Sequence, residues 1–370
     1  MPADWEMLAP HVWQRILDRP AGRLPHVVQW PGTEGIDPGE LVFFDLETSG
    51  LSGGAGTVAF LCGAATFVDG VLLITQYYLD DYPGEKHFLE YVLSDLGKKQ
   101  YWISYNGRTF DVPLLSTRCI MQGMRLMDDI RHIDILPAVR SLWRPRFGSC
   151  TLQAMEYYLY GLFREYDIPG SMVPKIWLEA VKTRQASEEL QEMLHRIWNH
   201  NAQDIVSLAT LFFDVADCLE HPEEAVERHA VDPEGLARLL EKYNRYEDAM
   251  HVLKSALLDE ESLSLPGGRF QHALRHLARL AWRREDWAIL REALSSMDDS
   301  IQSCIIRAKF FEHVAGDLPV ALCWAEKALD CAKDEVPEQA EKGSPDDPYS
   351  LSGIERRVAR LRRRIAAANR

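Results

Sequence analysis

Cysteine is scarce in this sequence and is never closely paired. Seven cysteines are spread over 370 residues, and no C-x-x-C pair occurs. An odd number without that spacing argues against a disulfide framework and against a zinc site. We therefore interpret the seven as small buried side chains in a reducing compartment. They are Cys62, Cys119, Cys150, Cys218, Cys304, Cys323 and Cys331.

Long apolar runs are absent as well. The longest, residues 58–67, is too short to cross a bilayer. The first residues contain Asp4 and Glu6 in place of the basic and then apolar stretch of a signal peptide. These two absences predict a cytoplasmic protein without membrane attachment.

An excess of positive charge is the third absence. The formal net charge is -15, which argues against tight, sequence-independent coating of nucleic acid. A local basic groove is still compatible with this charge, and metal-dependent nucleases keep acids in their sites. An apolar fraction of 46% supplies packed cores, and 370 residues are enough for two domains.

A short apolar run followed by two acids is the stretch around which the chain is organised. Residues Leu41 to Phe44 have the composition of a buried strand. Asp45 and Glu47 follow at positions i and i+2, so a strand places both on one face. Because neighbouring carboxylates repel each other, the pair favours half of a divalent-metal site. Acids at this spacing are also common without a metal.

The order of the elements predicts an α/β domain. Besides the opening strand, we expect strands at 57–67, 71–79, 101–105 and 131–135, and helices at 85–96, 110–121 and 188–213. Asp69-Gly70 is typical of a hairpin turn between two of these strands. The succession resembles the ribonuclease H-like fold, with a mixed five-stranded sheet flanked by helices.

Composition shifts divide the chain into six segments. Residues 1–40 are rich in Pro and Gly, so we expect an irregular lead-in or a helix packed on the first domain. The remaining segments are an α/β domain at 41–220, a polar linker at 221–233, an all-α helical-repeat domain at 234–332, an acidic loop at 333–353 and a basic helix at 354–370. The basic helix is interpreted as a solvated or capping face, with contact to nucleic acid as the alternative.

The helical domain carries a degenerate repeat. Ala-Leu pairs close amphipathic helices at 256–257, 293–294 and 328–329, a spacing of roughly 35 residues. Polar turns precede them at Tyr243-Asn244-Arg245, Arg284-Glu285-Asp286 and Ala315-Gly316-Asp317. A helix–turn–helix unit of this length resembles the tetratricopeptide repeat, and an unrelated helical bundle is the alternative.

Two more polar clusters follow the opening acids. Asp111 comes after a predicted strand and begins a helix, a position where aspartate is usually a helix cap. His200 and Asp204 are four residues apart and share one face of a long helix. Such a pair, taken alone, is usually a surface contact or a satisfied buried pair.

In this order the clusters resemble the DEDD exonucleases of the ribonuclease H-like superfamily. These proteins have Asp-x-Glu at the end of the first strand, an aspartate after a later strand, and a histidine and an aspartate on a late helix. The resemblance is closer still to the YprB-like ribonuclease H-like proteins over about residues 40–215, whose members can also carry a C-terminal tetratricopeptide-like region. The shared motifs are DLETSGL at 45–51, NGRTFDVPLL at 106–115, HID at 132–134, DIPG at 167–170, and His200-Asn201 with Asp204-Ile205.

The resemblance implies a catalytic metal centre. Asp45, Glu47, Asp111 and Asp204 would bind two Mg²⁺ or Mn²⁺ ions, for which hard oxygen ligands are suitable. Asp45 would bridge both ions, and His200 would orient or deprotonate the attacking water. His200 stands four residues before the last aspartate, where the superfamily has a tyrosine, while the histidine of other members stands five before it. The mode of water activation therefore stays open.

Four candidates for substrate binding lie beside these acids. By the resemblance, Thr48 and Leu51 would lie near the terminal nucleotide, Leu51 as an apolar wedge. Asn106 and Phe110 would line the same cleft, with a turn asparagine and a core phenylalanine as the structural alternatives.

Arginines and aromatic residues alternate after the last predicted strand. Arg140 and Arg144 share one helix face, close in sequence to Trp143 and Phe147. Cations with aromatic rings suit a single-stranded backbone with stacked bases, and a solvated helix face is the alternative. Asp134, on the last strand, is expected to support a metal ligand or to be structural, and not to be a ligand itself.

Two functions from different classes fit these features. The first is a metal-dependent nuclease, specifically a 3′→5′ exonuclease with a single-stranded DNA or RNA substrate. The second is a scaffold whose helical repeats bind a protein partner, with a weak or silent nuclease fold. The complete set of four acids favours the first.

Overall fold

A computed structural model describes the chain at residues 1–21, 24–50, 56–165, 168–183, 187–258, 267–334 and 347–368. Contacts between residues divide it into two compact units, Met1–Asn244 and Arg245–Arg370. Each unit has its own hydrophobic core. Leu51 and Asp167, both named in the sequence motifs, lie outside the described residues.

The first unit is built on one mixed sheet of seven strands, so the prediction of five strands was wrong. The strand order is β1-β2-β5-β4-β3-β6-β7. The strands are β1 Glu6–Ala9, β2 Val12–Pro20, β3 Leu41–Thr48, β4 Ala59–Val68, β5 Val71–Leu79, β6 Tyr101–Ser104 and β7 Arg131–Asp134.

The two additional strands come from the stretch that was expected to be irregular or helical. Apolar residues at 12, 13, 16 and 17 match a helical period as well as a strand. In the structure, β1 and β2 form a hairpin, and β2 pairs along its full length with β5. Hydrogen bonding to a distant strand therefore decides the conformation of this stretch.

Strand β3 lies at the junction of the antiparallel and parallel parts of the sheet. It pairs antiparallel with β4 and parallel with β6, which in turn pairs parallel with β7. The carboxyl ends of β3, β6 and β7 therefore meet at one edge of the sheet. Loops that follow parallel strands at such an edge commonly carry functional side chains.

The hairpin predicted at Asp69-Gly70 is confirmed. Asp69 has φ +49° and Gly70 has φ +78°, so both central residues are left-handed, as a type I′ turn requires. This turn joins β4 and β5 in register, with Val68 opposite Val71.

Helices flank the sheet, and α6 is the longest of those described. The helices of the first unit are α1 Glu85–Leu96, α2 Asp111–Met121, α3 Leu136–Phe147, α4 Leu152–Tyr160, α5 Val173–Thr183, α6 Glu188–Glu220, α7 Pro222–Arg228 and α8 Pro233–Lys242. Ser187 caps the N-terminus of α6, and its 33 residues pack an apolar stripe against β3, β4 and β5. None of the helices among the described residues combines the length and the apolar character needed to cross a membrane.

The segment that was expected to be a linker belongs to the first unit. Residues 222–228 form helix α7, and α8 packs against α3. The contact with α3 is close, because Ser141 Oγ donates a hydrogen bond to the carbonyl of Gly235 at 2.8 Å. The division by contacts therefore falls after Asn244.

The second unit consists of helices joined by tight turns. The helices are α9 Tyr246–Leu258, α10 Gly267–Arg283, α11 Trp287–Ser296, α12 Ile301–His313, α13 Leu318–Asp334 and α14 Leu351–Ala368. Two of the turns expected from the sequence lie within this unit, and each contains a residue in the left-handed conformation, Glu285 or Gly316; the third, with Asn244, lies where the two units divide. Such residues end a helix and let the chain reverse.

One buried acid holds the basic terminal helix in place. Glu312 of α12 accepts hydrogen bonds from Arg357, Arg360 and Arg364 of α14 at 2.7–2.9 Å. Glu312 is 5% exposed, so its charge depends on these partners. This arrangement supports the interpretation of the helix as a capping element.

We expect Gly235→Ala to destabilise the first unit. A Cβ atom at this position would lie 1.8 Å from the carbonyl oxygen of Ser141, so α8 would have to move away from α3. Overpacking of this kind costs roughly 1–3 kcal/mol. Urea unfolding measures the effect, with Gly170→Ala as the control because its Cβ would meet open space. Equal midpoints for the two variants would contradict the close packing of α8.

Candidate metal centre

Two acids extend from the end of β3 toward the sheet edge. Asp45 and Glu47 are two residues apart in the strand and therefore share one face. Thr48 ends the strand, and its hydroxyl donates a hydrogen bond to the carbonyl of Gly50 at 2.8 Å. The turn after the acids is thus closed by a side chain.

Helix α6 brings His200 and Asp204 to Glu47. One ligand atom from each of these three residues lies within 4.8 Å of the other two, a spacing that could hold a metal ion. His200 and Asp204 are one helical turn apart, and Nε2 of His200 lies 3.0 Å from Oδ2 of Asp204. Two carboxylates and an imidazole are a donor set that divalent cations accept.

Asp111 approaches the same place from the start of α2. Its carboxyl is 9% exposed, and burial raises its pKa to about 7, with the charge of Asp134 adding to the rise. Gly107 makes room for it, because a Cβ there would lie 3.0 Å from Oδ2 of Asp111. The aspartate therefore lies in a confined space where its negative charge is poorly solvated.

The pKa of Asp45 responds to the other three carboxylates. Burial raises this pKa well above its ordinary range, and the charges of Asp204, Asp111 and Glu47 raise it further. His200 acts in the opposite direction. Acids from β3, α2 and α6 thus share one electrostatic environment that a cation would stabilise.

Asp204 is the exception among these acids, because a cation and two hydrogen-bond donors offset its charge. Burial alone would raise its pKa, but hydrogen bonds from His200 and Arg164, with the charge of Arg164, outweigh burial and lower it. Arg164 Nη2 lies 2.5 Å from Oδ1 of Asp204. The same guanidinium binds Glu156 of α4 through Nε at 2.6 Å and Nη2 at 2.5 Å. A buried glutamate therefore fixes the arginine that faces Asp204.

The contacts of His200 define its tautomer. Arg164 Nη1 lies 3.2 Å from Nδ1 of His200, and arginine can only donate. Nδ1 is therefore the acceptor, and the proton is on Nε2, which faces Asp204. In this arrangement His200 orients the Asp204 carboxylate.

The predicted substrate residues occupy different environments. Asn106 is left-handed at φ +70°, and its backbone N–H donates to Oδ1 of Asp134 at 2.9 Å. Asp134 also accepts from the backbone N–H of Arg108, so it holds the loop after β6 in place. Phe110 is 53% exposed beside Asp111, so the alternative of a core phenylalanine was wrong.

The arginines and aromatics after β7 separate into two groups. Arg140 and Arg144 lie on the exposed side of α3. Trp143 is 0% exposed, and its Nε1 donates to the carbonyl of His229, so it cannot stack on a base and that part of the prediction was wrong. Phe147 stacks on Tyr158 with ring centroids 4.5 Å apart.

Three residues at the centre were not identified as site residues from the sequence. They are Arg164, Glu156 and Asn201, whose Nδ2 donates to Oδ2 of Asp45 at 3.0 Å. A glutamate among the aromatic residues of α4 was the available signal, since a charge in an apolar stretch needs a partner. No sequence spacing links that glutamate to an arginine eight residues away.

Comparisons with known proteins agree with this architecture. Residues 42–215 match the family described as the RNase_H superfamily, so this part of the chain is an RNase H-like domain. The chain is 26% identical over 341 residues to the uncharacterized protein YprB of Bacillus subtilis (strain 168). This alignment covers 90% of this chain and 77% of YprB. The resemblance to YprB-like ribonuclease H-like proteins, drawn from the sequence motifs, is thereby confirmed.

A solved structure is also similar, the family B DNA polymerase of the hyperthermophilic archaeon Pyrobaculum calidifontis. The alignment has a TM-score of 0.40 and 17% identity, and it covers 70% of this chain. The chain spans 36% of the length of that polymerase chain.

We expect Asp111 to make the metal-free protein less stable as the pH rises. Because the pKa of Asp111 is raised from 3.8 to about 7, the folded state holds a proton that the unfolded state has lost. The free-energy cost of ionising Asp111 in the folded protein is absent below about pH 4 and fully present above about pH 7. Asp111→Asn removes it and should stabilise the protein near pH 8 by on the order of 1 kcal/mol or more.

Urea unfolding in EDTA from about pH 4 to about pH 8 measures this difference. Asp18→Asn, at an exposed position of β2, is the matched control and should follow the wild-type profile. Parallel profiles for wild type and Asp111→Asn would contradict the raised pKa.

Proposed function

We propose that this protein is a metal-dependent nuclease, specifically a 3′→5′ exonuclease acting on single-stranded DNA or RNA. The observation that carries the proposal is that ligand atoms of Glu47, His200 and Asp204 lie within 4.8 Å of one another in an RNase H-like domain, where the charges of Glu47, Asp204 and Asp111 also act on Asp45. Structural acids are usually kept apart or paired with cations. A site that concentrates them is suited to divalent ions.

In this proposal Asp45, Glu47, Asp111 and Asp204 hold two Mg²⁺ or Mn²⁺ ions. The fit rests on the donor set, since carboxylate oxygens are the preferred ligands of both ions. When bound, the ions would stabilise charge on the attacking and leaving oxygens of phosphodiester hydrolysis. The raised pKa values of Asp45 and Asp111 support the assignment, because both acids lack sufficient compensation from the protein itself.

His200 has two proposed roles at this centre. Its Nε2–H orients Asp204 in the arrangement described above. Once that contact opens, Nε2–H can donate a hydrogen bond that orients the attacking water; in this tautomer Nε2 has no lone pair with which to deprotonate the water. Arg164 stabilises the neutral tautomer by donating to Nδ1.

The substrate is proposed to enter over an aromatic surface beside Arg164. A cleft of about 470 Å³ is lined by Tyr157, Tyr158, Phe163 and Arg164, among others. Phe163 is 76% exposed and Tyr157 is 58% exposed, which is unusual for large apolar rings. Exposed rings beside a cation suit unpaired bases, which supports a single-stranded substrate.

We expect Asp45→Asn to abolish hydrolysis, since the substitution removes a charged ligand without changing the size of the side chain. The assay uses strands labelled at the 5′ or 3′ end, as DNA and as RNA, with Mn²⁺ or Mg²⁺. Stepwise shortening of a 5′-labelled strand, with a circular single strand left intact, would support 3′→5′ exonuclease activity.

Asp18→Asn is again the matched control and should retain full activity. Equal rates for wild type and Asp45→Asn would contradict the proposed centre. Cleavage of the circular strand would refute the exonuclease assignment and leave an endonuclease.

We expect Phe163→Ala to weaken binding of single strands more than that of duplexes. Stacking of a base on an aromatic ring contributes about 1–3 kcal/mol, so the dissociation constant should rise at least several-fold. Fluorescence anisotropy in Ca²⁺ measures it without hydrolysis. Ile16→Ala, which removes an exposed apolar side chain from β2, is the control. Unchanged affinity for single strands would contradict stacking at this position.

The helical unit is proposed to bind a protein partner. Successive helix–turn–helix pairs with left-handed residues at their turns support a tetratricopeptide-like arrangement. This role is compatible with the nuclease, because a partner could deliver the enzyme to its substrate.

A further inference from the structure

A row of residues crosses the sheet beneath helix α6 and ends at Asp45. Arg15 on β2 is opposite Gln76 on β5, Gln76 is opposite Gly63 on β4, and Gly63 is opposite Asp45 on β3. Residues opposite each other in a sheet share a face, so these four positions form one line. Arg15 is 4% exposed and Gln76 is 0% exposed, so both polar groups need partners inside the protein.

The row has a gap at Gly63, and Asn201 of α6 occupies it. A Cβ atom at Gly63 would lie 2.4 Å from Oδ1 of Asn201, which real atoms do not tolerate. The glycine therefore lets the asparagine reach the sheet between Gln76 and Asp45. Asn201 is 0% exposed and completes the row.

The hydrogen bonds along the row have a fixed direction. Nε and Nη2 of Arg15 both donate to Oε1 of Gln76, at 2.9 and 2.5 Å. Because arginine has no acceptor, Gln76 must turn its carbonyl toward Arg15 and its amino group toward α6. Nε2 of Gln76 then donates to Oδ1 of Asn201 and to the carbonyl of Trp198, each at 2.8 Å.

The same direction continues to the acid. With its oxygen engaged by Gln76, Asn201 presents Nδ2 to Asp45 and donates to Oδ2 at 3.0 Å. The arginine at the far end therefore determines that Asp45 receives a donor from Asn201 and not a repelling carbonyl.

We propose that Arg15, Gln76 and Asn201 are positioning residues that orient the Asp45 carboxylate for metal binding. The inference rests on the proposed function of Asp45. It assigns the hairpin of β1 and β2 a role at the metal centre, although β2 lies three strands away from β3 in the sheet. Hydrogen-bond partners of this kind orient metal ligands and restrict their rotation.

The test is Mn²⁺ binding to the full chain by titration calorimetry. Gln76→Glu keeps the size of the side chain and the acceptor for Arg15 but loses both donated hydrogen bonds. An added negative charge alone would tighten cation binding, whereas loss of orientation should weaken it roughly tenfold. The direction of the change therefore separates the two effects.

Arg15→Met and Arg15→Lys form a second pair for the same assay. Methionine removes the donor and should weaken Mn²⁺ binding, while lysine keeps a donor and should restore most of the affinity. If Gln76→Glu does not fold, this pair decides the question.

Asp45→Asn and urea unfolding in EDTA complete the design. If Asp45→Asn keeps the wild-type affinity, the metal centre is refuted and this inference with it. If Asp45→Asn loses Mn²⁺ while Gln76→Glu and Arg15→Met bind as tightly as wild type or more tightly, only the positioning role is overturned. If Gln76→Glu and Arg15→Met unfold at lower urea concentrations but keep the wild-type affinity for Mn²⁺, the positioning role is also overturned, because a purely structural network would give that result.

Discussion

Repulsion between carboxylates is the constraint on which the rest of this structure depends. Asp45, Glu47, Asp111 and Asp204 are half-buried or buried, and the charges of the other three all raise the pKa of Asp45. Repulsion of this kind grows as water is excluded, because little solvent remains to screen it. The fold keeps the acids together by placing them on three rigid elements, the end of β3, the start of α2 and the middle of α6.

The protein offsets this repulsion in two ways. At Asp204 it uses charge, since Arg164 is held by the buried Glu156 and lowers the pKa of the acid. At Asp45 it uses a hydrogen bond from Asn201, which is itself oriented through the sheet. Charge compensation is strong but competes with a metal ion for the same oxygens, whereas a single donated hydrogen bond leaves other lone pairs available. The two acids therefore differ in how readily a cation can engage them.

The second unit uses the opposite arrangement of charges. There one buried acid, Glu312, collects several arginines from the terminal helix, so an excess of positive charge is used for packing. Arg307 is likewise buried, and it donates to carbonyl oxygens at the end of α11, including that of Leu294. Paired and capped charges of this kind rigidify a helical stack. Among the described residues, the group of side chains suited to a metal ion lies in the first unit.

The sequence by itself determined the order of most elements, the hairpin at Asp69-Gly70 and the acidic motifs, because these depend on residues close together in the chain. Tertiary structure decided the rest. Only pairing with β5 makes a strand of residues 12–20, and only packing buries Trp143 and brings Arg164 to Asp204. The link from Arg15 to Asp45 has the same origin. Its direction follows from sheet register and from the approach of a helix far away in sequence, which no local pattern encodes.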